Sequence, residues 1–320
     1  MSENASTTMN LTQPLNCSTY PTAGKIAQTF AYCLIILTSL AGNTVIGIIV
    51  YRTRPMRKPI NFLIVNMAMS DLLFSTFIIP VDIQKLYIDS WLIGGPLGQA
   101  ICKLTYFLSH VSTIVSIQSL VLIAADRFEA VVYPLRSPII NSKLCPFFTL
   151  ATWIVAMAGG SPDLVAVKLV EYLGALGCER RWNEAFGESS SFQNYYFSGV
   201  VFFIFIPLML VAIIYITIYI NLKSQKIPAQ QSANTGQQRQ QRERKVLKMA
   251  IAIVVGFIVC WLPVGIGISL ASFTSDIWSC RLQYIYSVSQ FITRANCAIN
   301  PCICFKFSRN YREGLKTLLR

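Results

Sequence analysis

The sequence predicts an all-α integral membrane protein, a bundle of seven transmembrane helices, and three observations support this fold class. Hydrophobic residues make up 54% of the 320 residues and charged residues only 13%, about half the charged share of an ordinary soluble domain. Seven stretches carry at most one charge each, and each is long enough to cross the hydrocarbon core, which takes roughly 20 residues as a helix. They lack the alternation of apolar and polar residues that is typical of barrel strands.

The seven stretches follow one another with short loops between them. Asp71 is the only charge inside the second and Arg294 the only one inside the seventh. Core helices of a large soluble protein are the alternative explanation, but the chain then has too little polar sequence to cover such a core. The limits of the stretches are 26–51, 59–81, 104–125, 144–162, 189–222, 249–275 and 282–305.

The distribution of Lys and Arg predicts the orientation in the membrane. The loops after the first, third and fifth stretches and the C-terminal tail, together with Arg127, carry 19 basic and four acidic residues. The opposite side, together with Arg294, carries eight basic and nine acidic residues. We therefore expect the basic side in the cytoplasm, against anionic lipid. The net charge of +13 then indicates orientation and not binding to nucleic acid.

This orientation places the N-terminus outside the cell and divides the chain into three parts. Residues 1–25 form an extracellular N-terminus, 26–305 the transmembrane domain and 306–320 a cytoplasmic helix and C-terminus. Three glycosylation sequons agree with the outer location, and they begin at Asn4, Asn10 and Asn16. No cleavable signal peptide is visible, so the first stretch is expected to serve as the insertion signal.

Residues 305–318 have the pattern of a short amphipathic helix, an eighth helix on the inner leaflet. Its basic residues would lie among the lipid headgroups. Its apolar face would lie against lipid and consists of Phe307, Tyr311, Leu315 and Leu318.

Polar residues lie at mid-membrane depth, where they are costly and therefore usually functional. The carboxylate of Asp71, with hydroxyl and amide oxygens nearby, suits a monovalent hard cation. Hydrogen bonds that join helices are the equally weighted alternative. The other residues at this depth are Asn43, Ser116, Asn296 and Asn300.

The chain resembles the rhodopsin-like (class A) G-protein-coupled receptors, and the matching motifs occur in order along nearly its whole length. Single matches are weak, but together on seven stretches they are specific. They are Gly42-Asn43, the run from Asn66 to Asp71, Trp91, Cys102, Asp126-Arg127-Phe128, Trp153, Pro207, Tyr215, Phe257, the run from Cys260 to Pro263 and the run from Asn300 to Cys304.

The resemblance implies roles for these residues. A sodium pocket is implied at Asp71, Ser116, Asn296 and Asn300, and it raises the cation interpretation above its alternative. A switch that engages the G protein is implied at Asp126, Arg127, Leu135, Tyr215 and Glu243. Packing that rearranges on activation is implied at Ile117, Pro207, Phe257, Trp261 and Pro263. Apart from sodium, no cofactor is expected.

Two motifs depart from the family pattern. Phe128 replaces the tyrosine of the DRY motif, which many relatives tolerate because the arginine carries the role. Cys304 replaces the tyrosine of NPxxY, which in the family joins the tyrosine here at Tyr215 through water. A thiol cannot reach that far. Either the active state is stabilised in another way, or the receptor signals weakly.

The resemblance also implies a disulfide between Cys102 and Cys178, both of which fall on the oxidising side. Cys17 and Cys280 are the remaining outer cysteines. They either form a second bridge, as in some peptide receptors, or stay free thiols, and the sequence leaves both open.

The ligand expected from the resemblance is a neuropeptide. Ser109 stands where amine receptors have an aspartate, and Arg294 where opsins have a lysine that forms a Schiff base. Pro80 and a predicted hairpin over 168–181 are more typical of peptide receptors. The expected pocket residues are Asp82, Lys85, Ser109, His110, Asp163, Gln290 and Arg294.

Arg294 needs a partner inside the bundle, and Asp82 is the first candidate. A structural ion pair of these two residues is one alternative. In the others, Arg294 receives a carboxylate of the ligand, or Asp82 and Asp163 receive a basic or amidated peptide end. His110 alone indicates no more than a packed histidine.

The sequence and the resemblance thus predict a plasma-membrane receptor that activates heterotrimeric G proteins by outward movement of the sixth helix. Arrestin and a receptor kinase are further expected partners. A receptor for a lipid or another small non-amine ligand is the alternative, and a seven-span transporter is the alternative from another class. An enzyme is not expected, because His110 is the only histidine and no HExxH motif occurs.

Overall fold

The computed structural model describes residues 22–88, 90–133, 135, 138–172, 174–224, 233–273 and 280–319. The side chains of 224, 233–246, 268–273 and 280–284 are not among those described. Several predictions concern residues or side chains outside the described set and stay predictions. They are the sequons at Asn4, Asn10 and Asn16, the pairing of Cys17 with Cys280, and the role of Glu243.

The helices form in the predicted order, and seven of them correspond to the seven stretches. They are α1 (Thr22–Arg52), α2 (Pro59–Tyr87), α3 (Gly95–Val132), α4 (Cys145–Ala166), α5 (Phe192–Lys223), α6 (Ala233–Phe273) and α7 (Cys280–Phe307). In the described part of the chain, the first six contain a segment apolar and long enough to cross a membrane. α7 is less apolar because polar residues and Arg294 lie inside it.

The regular α-helix is interrupted near two prolines, whose backbone nitrogen cannot donate a hydrogen bond. α2 consists of two segments, Pro59–Phe77 and Ile79–Tyr87, and Pro80 lies in the first turn of the second segment. In α5, a π-helical segment, Val201–Phe205, comes directly before Pro207. Both interruptions lie in the half of the bundle that contains the outer pocket described below.

α3 is the central helix, because it contacts α2, α4, α5 and α6. Buried aliphatic and aromatic side chains, including Ile46, Leu63, Ile117 and Phe257, fill the space between the helices. Large apolar side chains such as Phe147 and Met209 point outward and stay exposed. An apolar surface of this extent suits a lipid environment and not water.

A two-stranded antiparallel hairpin connects α4 to α5 across one end of the bundle. Its strands are β1 (Val167–Tyr172) and β2 (Ala175–Arg180). Gly174 has a positive φ of 81° in the turn, a conformation that glycine adopts without strain. A disulfide joins Cys178 in β2 to Cys102 at the start of α3. The predicted hairpin and the predicted disulfide are both confirmed.

The short helix α8 (Arg309–Leu318) follows α7, as predicted, but one detail of the prediction is wrong. Tyr311 and Leu315 do not face lipid, because α8 packs against the C-terminal ends of α1 and α7. Tyr311 is 1% exposed and its hydroxyl donates to Asn61 Oδ1 at 3.3 Å. This burial raises the pKa of the phenol well above its ordinary value.

Candidate functional site

The described part of the bundle contains a large pocket beneath the hairpin, which we call the outer pocket. Its volume is about 1100 Å³, and residues of α2, α3, β2, α5, α6 and α7 line it. A cavity of this size accommodates a peptide end or a drug-sized molecule. Six of the seven expected pocket residues line it, namely Asp82, Lys85, Ser109, His110, Gln290 and Arg294.

Arg294 and Asp82 form the expected ion pair across the outer pocket. Arg294 Nε donates to Asp82 Oδ2 at 2.7 Å, and both side chains are 17% exposed. The guanidinium also lies 5.4 Å from the ring centre of Phe74. A partly buried pair of this kind is worth little as net stability, because desolvation offsets the Coulomb attraction.

Asp163 differs from the prediction, because it lies behind the wall of the outer pocket and does not line it. The residue is fully buried in α4. One carboxylate oxygen is 2.6 Å from His110 Nδ1 and the other accepts from Arg180 Nε at 2.9 Å. Asp163 thus joins α3, α4 and β2, and neither of its oxygens faces the outer pocket, where a ligand cation would lie. His110 is likewise more than a packed histidine.

Arg180 is the main pocket residue that the sequence analysis missed as a site residue. Its guanidinium lies 4.9 Å from the ring centre of Tyr106 and 4.2 Å from that of Phe192. A signal was present in the sequence: Arg180 comes two residues after Cys178, which the disulfide fixes to α3. The disulfide fixes this part of β2 to α3, and the long side chain of Arg180 therefore lies over the pocket.

Aromatic residues supply much of the remaining wall. Tyr195, Tyr196 and Tyr286 line the outer pocket with Tyr106 and Phe192. Spacing within the helices gave no signal for these tyrosines, since an aromatic residue in a membrane helix more often packs or faces lipid. Tyr195 and Tyr196 reach the pocket from α5, and Tyr286 reaches it from α7.

Trp261 lies at the floor of the outer pocket and stacks on Phe257 at a ring-centre distance of 5.6 Å. Phe257 and Ile117 are almost completely buried in the same core cluster. Pro263, two residues after Trp261, also lines the outer pocket. Four of the five predicted packing residues therefore lie at or directly below the floor, and Pro207 lies in α5 after its π-helical segment.

A second, small space lies beneath Trp261, and we call it the polar cavity. Asp71, Ser112, Ser116, Asn296 and Trp261 are among its lining residues. Asp71 accepts from Ser116 Oγ at 3.4 Å. Asn296 Oδ1 and Ser112 Oγ are buried without a hydrogen-bond partner among the described residues. Two such oxygens beside a carboxylate fit an oxygen-coordinated cation.

The fourth residue predicted for the sodium pocket has a different position. Asn300 Nδ2 donates to Asp71 Oδ2 at 2.8 Å, so Asn300 orients the carboxylate and does not line the polar cavity. Ser112 takes its place among the oxygen donors. The sequence gave no reason to choose Ser112 over other serines of α3.

Near the C-terminal end of α3, Asp126 holds Arg127 as predicted. Arg127 donates to Asp126 Oδ2 from Nε at 3.0 Å and from Nη2 at 2.5 Å. Tyr215 is buried in an adjacent apolar cluster that includes residues of α3, α5 and α6. Leu135 is fully exposed in the loop after α3, where a partner can reach it.

Cys304 is completely buried and belongs to the same core cluster as Tyr311 of α8. Packing accounts for this thiol, because the space around it is filled by apolar side chains. The position therefore has no room set aside for a tyrosine ring.

The fold and these sites define a class of protein: a helical membrane bundle with a pocket at one end and a partly buried pair of Arg127 with Asp126 at the other. Residues 42–303 match the profile of the 7 transmembrane receptor (rhodopsin family), so the chain belongs to that family. This confirms the seven-helix membrane fold and the predicted resemblance. It also confirms that the protein belongs with receptors and not with enzymes.

Named relatives are receptors for peptides. The chain is similar to the RYamide receptor of Drosophila melanogaster, with 27% identity over 92% of this chain and 63% of that protein. It is 29% identical to the QRFP-like peptide receptor of Branchiostoma floridae over 94% of this chain and 79% of the relative. It is also 29% identical to the mouse (Mus musculus) neuropeptide FF receptor 2, over 91% and 72% respectively.

Proposed function

We propose that this protein is a plasma-membrane receptor that binds an extracellular peptide and activates a heterotrimeric G protein. The observation that carries the proposal is the outer pocket, an aromatic cavity of about 1100 Å³ that ends on Trp261 in a member of a receptor family. Relatives whose names specify peptide receptors support a peptide as the ligand.

The proposed orientation places the N-terminus and the hairpin outside the cell. It is supported by the excess of Lys and Arg on the other side, since short basic loops stay in the cytoplasm. The disulfide between Cys102 and Cys178 supports it too, because disulfides persist in oxidising compartments.

Signalling proceeds by a shift between two conformations, as the ligand must bind the active one more tightly. A peptide in the outer pocket presses on Trp261, and Trp261 stacks on Phe257 in the core between α3 and α6. Movement of α6 away from α3 then releases Arg127 from Asp126 and opens a surface for the G protein beside Leu135. Arrestin and a receptor kinase are proposed to act at the same cytoplasmic surface.

We also propose that the polar cavity holds a sodium ion in the resting state. Asp71, Ser112, Ser116 and Asn296 would supply its oxygens, with water completing the shell. The support is the pair of buried oxygens without hydrogen-bond partners beside a carboxylate. The ion supplies a positive charge that balances Asp71 inside the membrane.

Guanine-nucleotide exchange on a purified heterotrimeric G protein tests the proposal, in membranes that contain the full chain. Synthetic peptides with free or amidated C-termini are the ligands. We expect stimulation by some peptides, and loss of basal and stimulated exchange in Arg127→Ala. Arg309→Ala is the matched control, because Arg309 is an exposed arginine in α8 that pairs only with Glu313 among the described residues. Exchange that no peptide stimulates and that Arg127→Ala leaves unchanged would exclude the proposal.

A further inference from the structure

We propose that the outer pocket binds a carboxylate of the peptide in a clamp formed by Arg180 and Arg294, with Lys85 beside it. The carboxylate is either the free C-terminus or an Asp or Glu side chain. This inference rests on the proposed function, because it specifies the chemistry of the ligand that the receptor takes.

The first step is that the acids near the pocket are already occupied. Asp82 is the only acidic residue among the described residues that line the outer pocket, and it accepts from Arg294 Nε. Asp163 lies behind the wall between His110 and Arg180. A basic or amidated peptide end would have to break one of these partly or fully buried pairs, which is unfavourable.

The second step is that both arginines keep donors for a further partner. Each one uses its Nε for an internal aspartate, Asp163 for Arg180 and Asp82 for Arg294. Their terminal nitrogens have no hydrogen-bond acceptor in the part of the chain that the structure describes. A guanidinium has five N–H donors in a fork that matches a carboxylate, so each arginine offers its terminal side to the pocket.

The third step is the charge balance along this wall. Lys85 has no ion-pair partner among the described residues, and its Nζ lies 5.9 Å from the ring centre of Tyr106. Arg180 lies over the same ring at 4.9 Å. Lys85 is also three residues from Asp82 on α2, so it is one helical turn from the partner of Arg294. The three cationic side chains therefore face only two carboxylates, those of Asp82 and Asp163. A negatively charged group of the ligand would balance the one positive charge in excess.

The two aspartates, Asp82 and Asp163, also explain why the arginines are suited to binding a carboxylate. Without them, each guanidinium would bring a full unbalanced charge into a partly buried wall. With them, the guanidinium groups are held in place through one edge before any ligand arrives. A receptor group that is already positioned loses less conformational entropy on binding.

The test uses the full receptor, purified in detergent and immobilised, with four libraries of random octapeptides. Two libraries have a free C-terminal carboxylate and two have a C-terminal amide. Within each pair, one library contains Asp and Glu, and the other has Asn and Gln in their place. Enrichment over receptor-free resin is measured by mass spectrometry. We expect the three libraries that contain a carboxylate to yield binders and the acid-free amidated library to yield none. The library that gives the tightest binders separates a C-terminal carboxylate from an acidic side chain.

Variants then test the clamp with the selected peptides. Arg180→Gln and Arg294→Lys are each expected to weaken binding about tenfold to a hundredfold, as expected when a charge-assisted hydrogen bond is lost. The double variant Asp82→Asn/Arg294→Gln removes both charges together, so it leaves no buried charge unpaired and still loses the fork. Lys103→Gln is the matched control, because Lys103 lies near the outer end of α3 and does not line the pocket.

Two results would overturn the inference. If the acid-free amidated library gave the tightest binders and the arginine variants bound them as the unchanged receptor does, the ligand would not be anionic, while the proposed receptor function would stand. If no library gave binders, the carboxylate clamp would also be wrong. The proposed function would then be judged by the nucleotide-exchange test with Arg127→Ala, which depends on neither arginine of the clamp.

Discussion

Asp163 joins three elements of the wall of the outer pocket. It holds His110 of α3 and Arg180 of β2 from its place in α4. We expect Asp163→Ala to lower the free energy of unfolding by about 3 kcal/mol or more, because Arg180 then lacks its buried counter-charge. Thermal unfolding of the purified receptor measures this loss.

Glu184→Gln provides the control for Asp163→Ala. Glu184 pairs with Lys168 in the same connection between α4 and α5, but both side chains are about half exposed. Lys168 holds the pKa of the Glu184 carboxyl below its ordinary value, and solvent screens the pair. We expect no measurable change in Tm. Equal losses in the two variants would show that the buried position of Asp163 has no special weight.

Cys304 gives a second prediction at this scale. We expect Cys304→Tyr to lower stability by about 1–3 kcal/mol, because the ring would be forced into a filled core. Cys302→Tyr is the matched control, since Cys302 is exposed on the same helix. Thermal unfolding measures both. A Cys304→Tyr receptor as stable as the unchanged one would mean that the core has room for the family tyrosine.

At the scale of elements, α1 and α7 approach closely at Gly42. A Cβ at this position would lie 2.6 Å from Pro301 Cβ, a contact that real side chains do not make. At Gly47 in the same helix, a Cβ would meet nothing within 4 Å. The two glycines thus differ in packing while sharing one helix.

We expect Gly42→Ala to destabilise the bundle by about 1–3 kcal/mol through overpacking. Gly47→Ala should instead be neutral or stabilising by up to about 1 kcal/mol, because alanine favours the helix. Tm values of the two variants check this. A Gly42→Ala variant that is no less stable than Gly47→Ala would show that α1 and α7 adjust without strain.

The sequence predicted the elements well because their signals are local. Length without charge indicates a membrane helix, and the hairpin over 168–181 forms as expected. The error at α8 has a physical reason: periodicity identifies an apolar face but does not say whether lipid or protein covers it. Tyr311 is covered by α1 and α7, which no pattern within residues 305–318 specifies.

The sites were predicted in part, for the same reason. The pair of Arg294 with Asp82 followed from the high cost of a lone charge in the membrane. The position of Asp163 did not, because its partner Arg180 is brought to it by β2 and the disulfide. Ser112 could not be chosen from the sequence either, because only the structure shows that it lines the polar cavity.

At the scale of the whole molecule, the polar cavity and the outer pocket share Trp261. If sodium occupies the polar cavity, replacing NaCl with N-methylglucamine chloride should lower the Tm of the ligand-free receptor. The physical reason is that an ion bound only by the folded state stabilises it by mass action. Asp71→Asn should abolish the difference between the two salts. The same salt dependence in Asp71→Asn would show that sodium acts elsewhere.

The disulfide has a consequence for the life of the receptor before it reaches the cell surface. Arg180 comes two residues after Cys178, so the disulfide adds a covalent tether to the bond with Asp163 that holds it over the pocket. In a freshly synthesised chain with both thiols still reduced, β2 keeps only its non-covalent contacts, among them the pairing with β1 and the bond to Asp163, and Arg180 is held less firmly. We therefore expect an immature receptor to bind an acidic peptide more weakly than the oxidised one.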